Sequence, residues 1–129
     1  MSESLNAELV KDFVYHAHAD LEKIKELLEK DPGLLNASWN WGNGDWETAL
    51  GAAAHMGKRD IALFLLEKGA RIDIFAAAML GKLEIVKAII EDDPEKIHIG
   101  PHTIPLIAHA KAGGEESLQV VRFLETFQR

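Results

Sequence analysis

DWETALGAAAHMGKRDIALFLLEKGA, residues 45–70, decides the fold. Its first half, TALGAAAHMGK (48–58), is short and rich in alanine. Its second half, RDIALFLLEKG (59–69), carries Ile61, Leu65 and Leu66 at helical spacing, which marks one apolar face. Gly57 separates the halves, as glycine does where a helix must end with φ above zero. Thr48 stands where a hydroxyl can accept from free backbone N–H groups at a helix start. The stretch therefore predicts a short helix, a glycine turn and a longer amphipathic helix.

Working outward, the same unit recurs. LEKIKELLEK (21–30), LEIVKAIIED (83–92) and SLQVVRFLET (117–126) repeat the amphipathic helix. FVYHAHAD (13–20), IFAAAMLGK (74–82) and IPLIAHAKAGG (104–114) repeat the short one, with Asp73 and Thr103 as further cap candidates and Gly81 and Gly113 as further terminators. Aligned on Leu27, Leu65, Ile89 and Leu124, the units step by 38, 24 and 35 residues. Their mean lies near the ~33-residue period of one family of helical arrays.

The stretch 45–70 resembles an ankyrin repeat. Thr48, Leu50, Ala53, Ala54, Gly57, Ile61, Leu65, Leu66, Gly69 and Ala70 match that pattern in register. Ile74, Ala77, Ala78, Gly81, Ile85, Val86, Ile89 and Ile90 carry it in the third unit, and Pro105, Leu106, Ala110, Gly113, Val120, Val121 and Leu124 in the fourth. The terminal units match more loosely, as expected where one face meets water. The expectation is a single all-α domain, an ankyrin-like α-solenoid of about four helix-turn-helix repeats (8–36, 37–70, 71–100 and 101–129). The connector NASWNWGNGDWET (36–48) is long enough for a hairpin finger; GARID (69–73) is too short for one, so that finger should be missing. The resemblance implies a protein-protein interaction module that uses its concave short-helix face and its tryptophan-rich finger.

Composition narrows the chemistry. The chain has 129 residues, with 14 Lys+Arg against 21 Asp+Glu and a net charge of −7. That balance argues against nucleic acid, whose phosphates call for clustered basic residues. There is no cysteine, which removes disulfides, thiolate metal ligands and thiol nucleophiles. No apolar run approaches ~18 residues, so no membrane span is expected. The start, MSESLNAELVKDF, lacks the basic end and apolar run of a signal peptide, and a cytoplasmic protein is expected. A monomer or weak homodimer fits this picture. Gly51 to Lys58 imitates a phosphate-binding loop but is one residue too long and lacks the following hydroxyl.

Trp39, Trp41 and Trp46, the three tryptophans of the chain, all fall in the long connector. Asn43-Gly44 is a hairpin turn signal, and a turn over residues 42–45 would set Trp41 opposite Trp46. The expected contact surface is Trp41, Asp45, Trp46, Glu47, His55, Met56, Met79 and Leu80, with a notch beside the missing finger through which a partner meets Trp46 and Met79. A competing reading is a small-ligand binder or acid–base enzyme using Asp45, His55, His102 and His109, favoured if the finger folds over the groove. His102 and His109 form a possible polar site in themselves, although His109 reads first as a structural residue needing a buried acceptor. No catalytic residue is assigned, and no serine stands in a nucleophile turn. No metal or cofactor is expected: His98 and His102 are the one histidine pair at i,i+4, but Gly100 and Pro101 between them break a helix, so an ion would have to gather donors from different repeats.

Overall fold

The computed structural model describes residues 6–94, 102 and 104–127. Eight α-helices and one two-stranded sheet lie among them. The first pair is α1 (Ala7–His16) and α2 (Leu21–Lys30). The finger strands β1 (Ser38–Asn40) and β2 (Trp46–Thr48) follow, then α3 (Ala49–His55) and α4 (Arg59–Glu67). The remaining helices are α5 (Ile74–Leu80), α6 (Leu83–Asp92), α7 (Leu106–Ala112) and α8 (Leu118–Phe127).

Side-chain caps mark the starts of α1, α2, α3 and α5. Asn6 accepts from the N–H groups of Glu8 and Leu9, and Asp20 from that of Lys23. Thr48 Oγ1 accepts from Gly51 N–H at 3.0 Å and Asp73 Oδ1 from Ala76 N–H at 2.8 Å, as the sequence suggests. Thr103 lies outside the described residues. The first short helix is displaced from the expected 13–20: it runs Ala7–His16, and residues 17–19 form a turn. His18 is thereby outside the helix.

The short helices α1, α3, α5 and α7 stack in chain order, and α3 also touches α7 directly. On the other side α2 meets α4, and α6 meets α8. Alanine makes the inner stack possible. Ala49, Ala52, Ala53, Ala54, Ala76, Ala77 and Ala78 are all fully buried, so backbones approach closely without voids. Leucine, isoleucine and phenylalanine fill the space between layers. Phe13, Ile24, Leu34, Leu50, Ile61 and Leu65 belong to one core and Ile90, Leu106 and Leu124 to its continuation. Each contributes roughly 1.5–3 kcal/mol of burial.

Two glycines show different reasons for their identity. Gly81 has φ +81°, the left-handed cap expected of it. Gly113 does not: its φ is −77°, and Gly114, at +69°, takes the left-handed place instead. A Cβ on Gly113 would stand 2.0 Å from the Met79 carbonyl oxygen. Gly113 is needed because α7 approaches α5, and not for its dihedral angles. Residues 114–117 then form a 3-10 turn that absorbs the extra length of the fourth unit. No strand occurs in the connector 68–73, in keeping with a missing finger.

Candidate functional site

The finger pairs Ser38 with Thr48, Trp39 with Glu47 and Asn40 with Trp46 in antiparallel register. Trp41 N–H donates to Asp45 O at 2.9 Å, and Gly42, Asn43 and Gly44 all have positive φ. Trp41 therefore faces Asp45 and not Trp46, one residue away from the expected register. The difference matters because side chains alternate along a strand, and a shift of one exchanges the two faces. Trp46 points to water with 58 % exposure, and its neighbour Glu47 points inward with 1 %.

Burying Glu47 requires partners, because an isolated carboxylate loses several kcal/mol of hydration. Its Oε1 accepts from the Trp41 indole N–H at 3.0 Å. His102 Nε2 is 3.1 Å and His18 Nε2 3.4 Å from the same oxygen. His55 Nε2, on the last residue of α3, lies 3.0 Å from Oε2. Neither of these last two atoms has an aligned hydrogen bond, although both are buried. Burial alone would raise the Glu47 pKa; the hydrogen bonds and charge of His18, the approach of His55 and the Trp41 N–H outweigh it and hold the carboxyl far below its usual range. In return, the hydrogen bond to Glu47 raises the pKa of His18 against the opposing effect of burial.

The surrounding shell fixes the rings. His18 Nδ1 lies 2.9 Å from the Tyr15 carbonyl oxygen, which can only accept, so Nδ1 carries the hydrogen. His102 is gripped twice by Asp45: its backbone N–H donates to Oδ1 at 2.8 Å, and its Nδ1 lies 2.7 Å from Oδ2. Its φ of +57° is uncommon for a residue with a side chain. The ring centroids of His18 and His55 are 5.0 Å apart and those of His55 and His102 5.2 Å, with Trp41 packed 6.1 Å from His102 and 6.3 Å from His18.

Several sequence-derived assignments change. Asp45, Glu47, His55 and His102 do come together, and the finger is tied across the groove to residue 102. His18 joins them unannounced, because residue spacing says nothing of a turn that brings it back under the finger. Glu47, Met79 and Leu80 are corrected as contact residues: with 1 %, 0 % and 4 % exposure they cannot meet a partner. The proposed notch at Met79 is therefore filled core. Trp41 is half-buried and holds Glu47, whereas Trp46 and Met56 remain on the surface at 58 % and 47 %. His109 lies behind the cluster, its ring 6.5 Å from that of His55. It is fully buried, its Nδ1 donates to Pro105 O at 3.0 Å, and its ring packs on Phe75. Burial pushes its pKa down.

Spacing along the chain speaks against a metal only where the ligands are near one another in sequence. The fold instead gathers His18, Glu47, His55 and His102 from the turn after α1, the finger, α3 and the last connector, with one donor atom of each within 4.8 Å of every other. A groove of about 470 Å³ lies elsewhere, on the outer helices beside Phe64, and contains none of these residues.

Residues 45–76 match the family model of the ankyrin repeat. The chain thus contains an ankyrin repeat, and stacked helix pairs lie on either side of that segment. Ankyrin repeats are generally protein-protein interaction modules. No curated protein matches the chain. Among the described residues, no helix is long and apolar enough to cross a membrane.

Proposed function

We propose that this protein is a small adaptor that binds another protein through the outer face of its finger, with Trp46 as the anchor and Met56 beside the end of α3. One observation carries the reading: of three tryptophans in one finger, Trp39 and Trp41 pack against the core, while Trp46 stands 58 % exposed. Tryptophan suits an interface anchor because it buries a large area with few rotors. Strand pairing and the clamp on Glu47 hold the backbone of this residue in place before any partner arrives, which reduces the ordering cost of binding.

The test compares wild-type protein with Trp46→Ala in affinity capture from the native host's lysate, alongside thermal melts of both. Capture of a partner should fall at least tenfold while the melting temperature barely moves, since a hot-spot truncation costs roughly 2 kcal/mol or more. Parallel losses of capture and stability would assign Trp46 to the scaffold. Sedimentation across a dilution series distinguishes a second copy of the chain from a different partner, because a mass-action dimer dissociates on dilution.

A further inference from the structure

We propose that His18, Glu47, His55 and His102 form a binding site for a divalent transition-metal ion of the zinc class. Three edges of the cluster are near the right size. With metal–donor bonds of about 2.0–2.1 Å, tetrahedral geometry sets neighbouring donors roughly 3.3 Å apart. His102 and His18 stand 3.1 and 3.4 Å from Glu47 Oε1 and His55 stands 3.0 Å from Oε2, with one donor atom of each residue within 4.8 Å of every other, so a small inward shift of the rings closes the site.

The directions of the donors agree. In neutral His18 and His102, the hydrogen sits on Nδ1, committed to the Tyr15 carbonyl and to Asp45. Both Nε2 atoms then turn lone pairs toward a carboxylate that has only lone pairs to offer. Acceptor facing acceptor at this distance requires a positive centre between them. A proton on each nitrogen is one such centre, but His55 argues for another. Its Nε2 is 3.0 Å from Glu47 Oε2 without the alignment of an N–H···O bond, and both atoms are buried. Lone pairs that converge on a common third point, and not on each other, produce that geometry.

The outer shell has the form that metal-bound imidazoles need. Asp45 orients His102, the Tyr15 carbonyl orients His18, and the Trp41 N–H orients Glu47. Three imidazoles and one carboxylate favour zinc, copper, nickel or cobalt over magnesium or calcium, which prefer oxygen. Asp45 is a positioning residue here: it also holds the backbone of His102 in its left-handed conformation. An Asn in its place could present an N–H₂ to Nδ1, reverse the tautomer and remove the lone pair from Nε2.

The probe is Co²⁺ added to chelator-treated, full-length protein, followed by Zn²⁺. The expected result is a visible d–d absorption typical of nitrogen-rich four-coordinate cobalt, saturating at one ion per chain and lost when Zn²⁺ displaces it. Asp45→Asn should weaken Co²⁺ binding about 10- to 100-fold, with the circular dichroism of the metal-free protein unchanged. His55→Ala should abolish the band; if it does not fold, Asp45→Asn carries the comparison. Absence of the band from folded wild-type protein at excess Co²⁺ would overturn the proposal. So would equal affinity in wild type and Asp45→Asn, which would place the ion elsewhere on the surface.

Discussion

Glu47 shows how one buried side chain organises residues far apart in sequence. Three of its polar neighbours arrive for a local reason: Trp41 from the finger turn, His18 from the turn that ends α1, His55 from the last position of α3; the fourth, His102, is brought in by Asp45. The Trp41 N–H is a hydrogen bond to a charged acceptor, a type worth about 1.5–3 kcal/mol. Trp41→Phe keeps the ring against the core and removes that donor. Metal-free Trp41→Phe should lose stability of this size in urea denaturation followed by circular dichroism; an unchanged midpoint would mean that the histidines alone satisfy the carboxylate. Some of this was legible beforehand. Asp45, His55 and His102 stood out as a polar set, because the finger and short-helix positions they occupy border one groove in an ankyrin array. His18 did not, because contact across repeats depends on where α1 ends, and no spacing rule reports that.

At the scale of elements, glycine and cap positions give two opposed tests. A Cβ on Gly113 meets the Met79 carbonyl at 2.0 Å, whereas one on Gly114 meets nothing within 4 Å but sits at φ +69°. Gly114→Ala should therefore cost about 1 kcal/mol through its backbone conformation alone. Gly113→Ala, at an unstrained φ, should cost more because α5 and α7 must separate. Thermal unfolding of both variants checks the order, and the reverse order would restore the φ-based reading. The helix pattern itself was readable from apolar spacing. The finger register was not, because Asn43-Gly44 fixes the presence of a turn but leaves open which residues flank it.

Asp73 caps α5 from a half-buried position, and burial raises its pKa above the ordinary 3.8. The folded chain thus holds this proton more tightly than the unfolded chain does. Its favourable contribution is complete below pH 3.8 and is lost as pH rises through the elevated folded value. Asp73→Asn keeps a capping oxygen and carries no charge. The variant should be more stable than wild type at neutral pH, with the advantage gone by about pH 3. Melting curves at the two pH values decide; a less stable variant at neutral pH would mean that the ionised cap outweighs its desolvation.

At the scale of the whole molecule, an array of repeats has no general reason to unfold in one step, since each unit touches only its neighbours. Here the clamp on Glu47 joins the first helix pair, the finger, α3 and residue 102. All three tryptophans lie in that finger, so their fluorescence follows it separately from the helices. Fluorescence and far-ultraviolet circular dichroism should therefore trace the same urea transition. An earlier fluorescence transition would show that the finger peels away before the stack. The stacked architecture was open to sequence reading because each unit repeats its own apolar code. The clamp was not, since it is made of single residues that occur once.

The bond from Asp45 to His102 spans 57 positions along the chain. Solenoids ordinarily tolerate the duplication or deletion of a middle module, because the remaining modules still fit end to end. This chain lacks that freedom. Another module inserted after α4 would carry residue 102 out of reach and take one of the four polar groups away from Glu47. The reach of one aspartate thus sets how far apart the finger and residue 102 can stand.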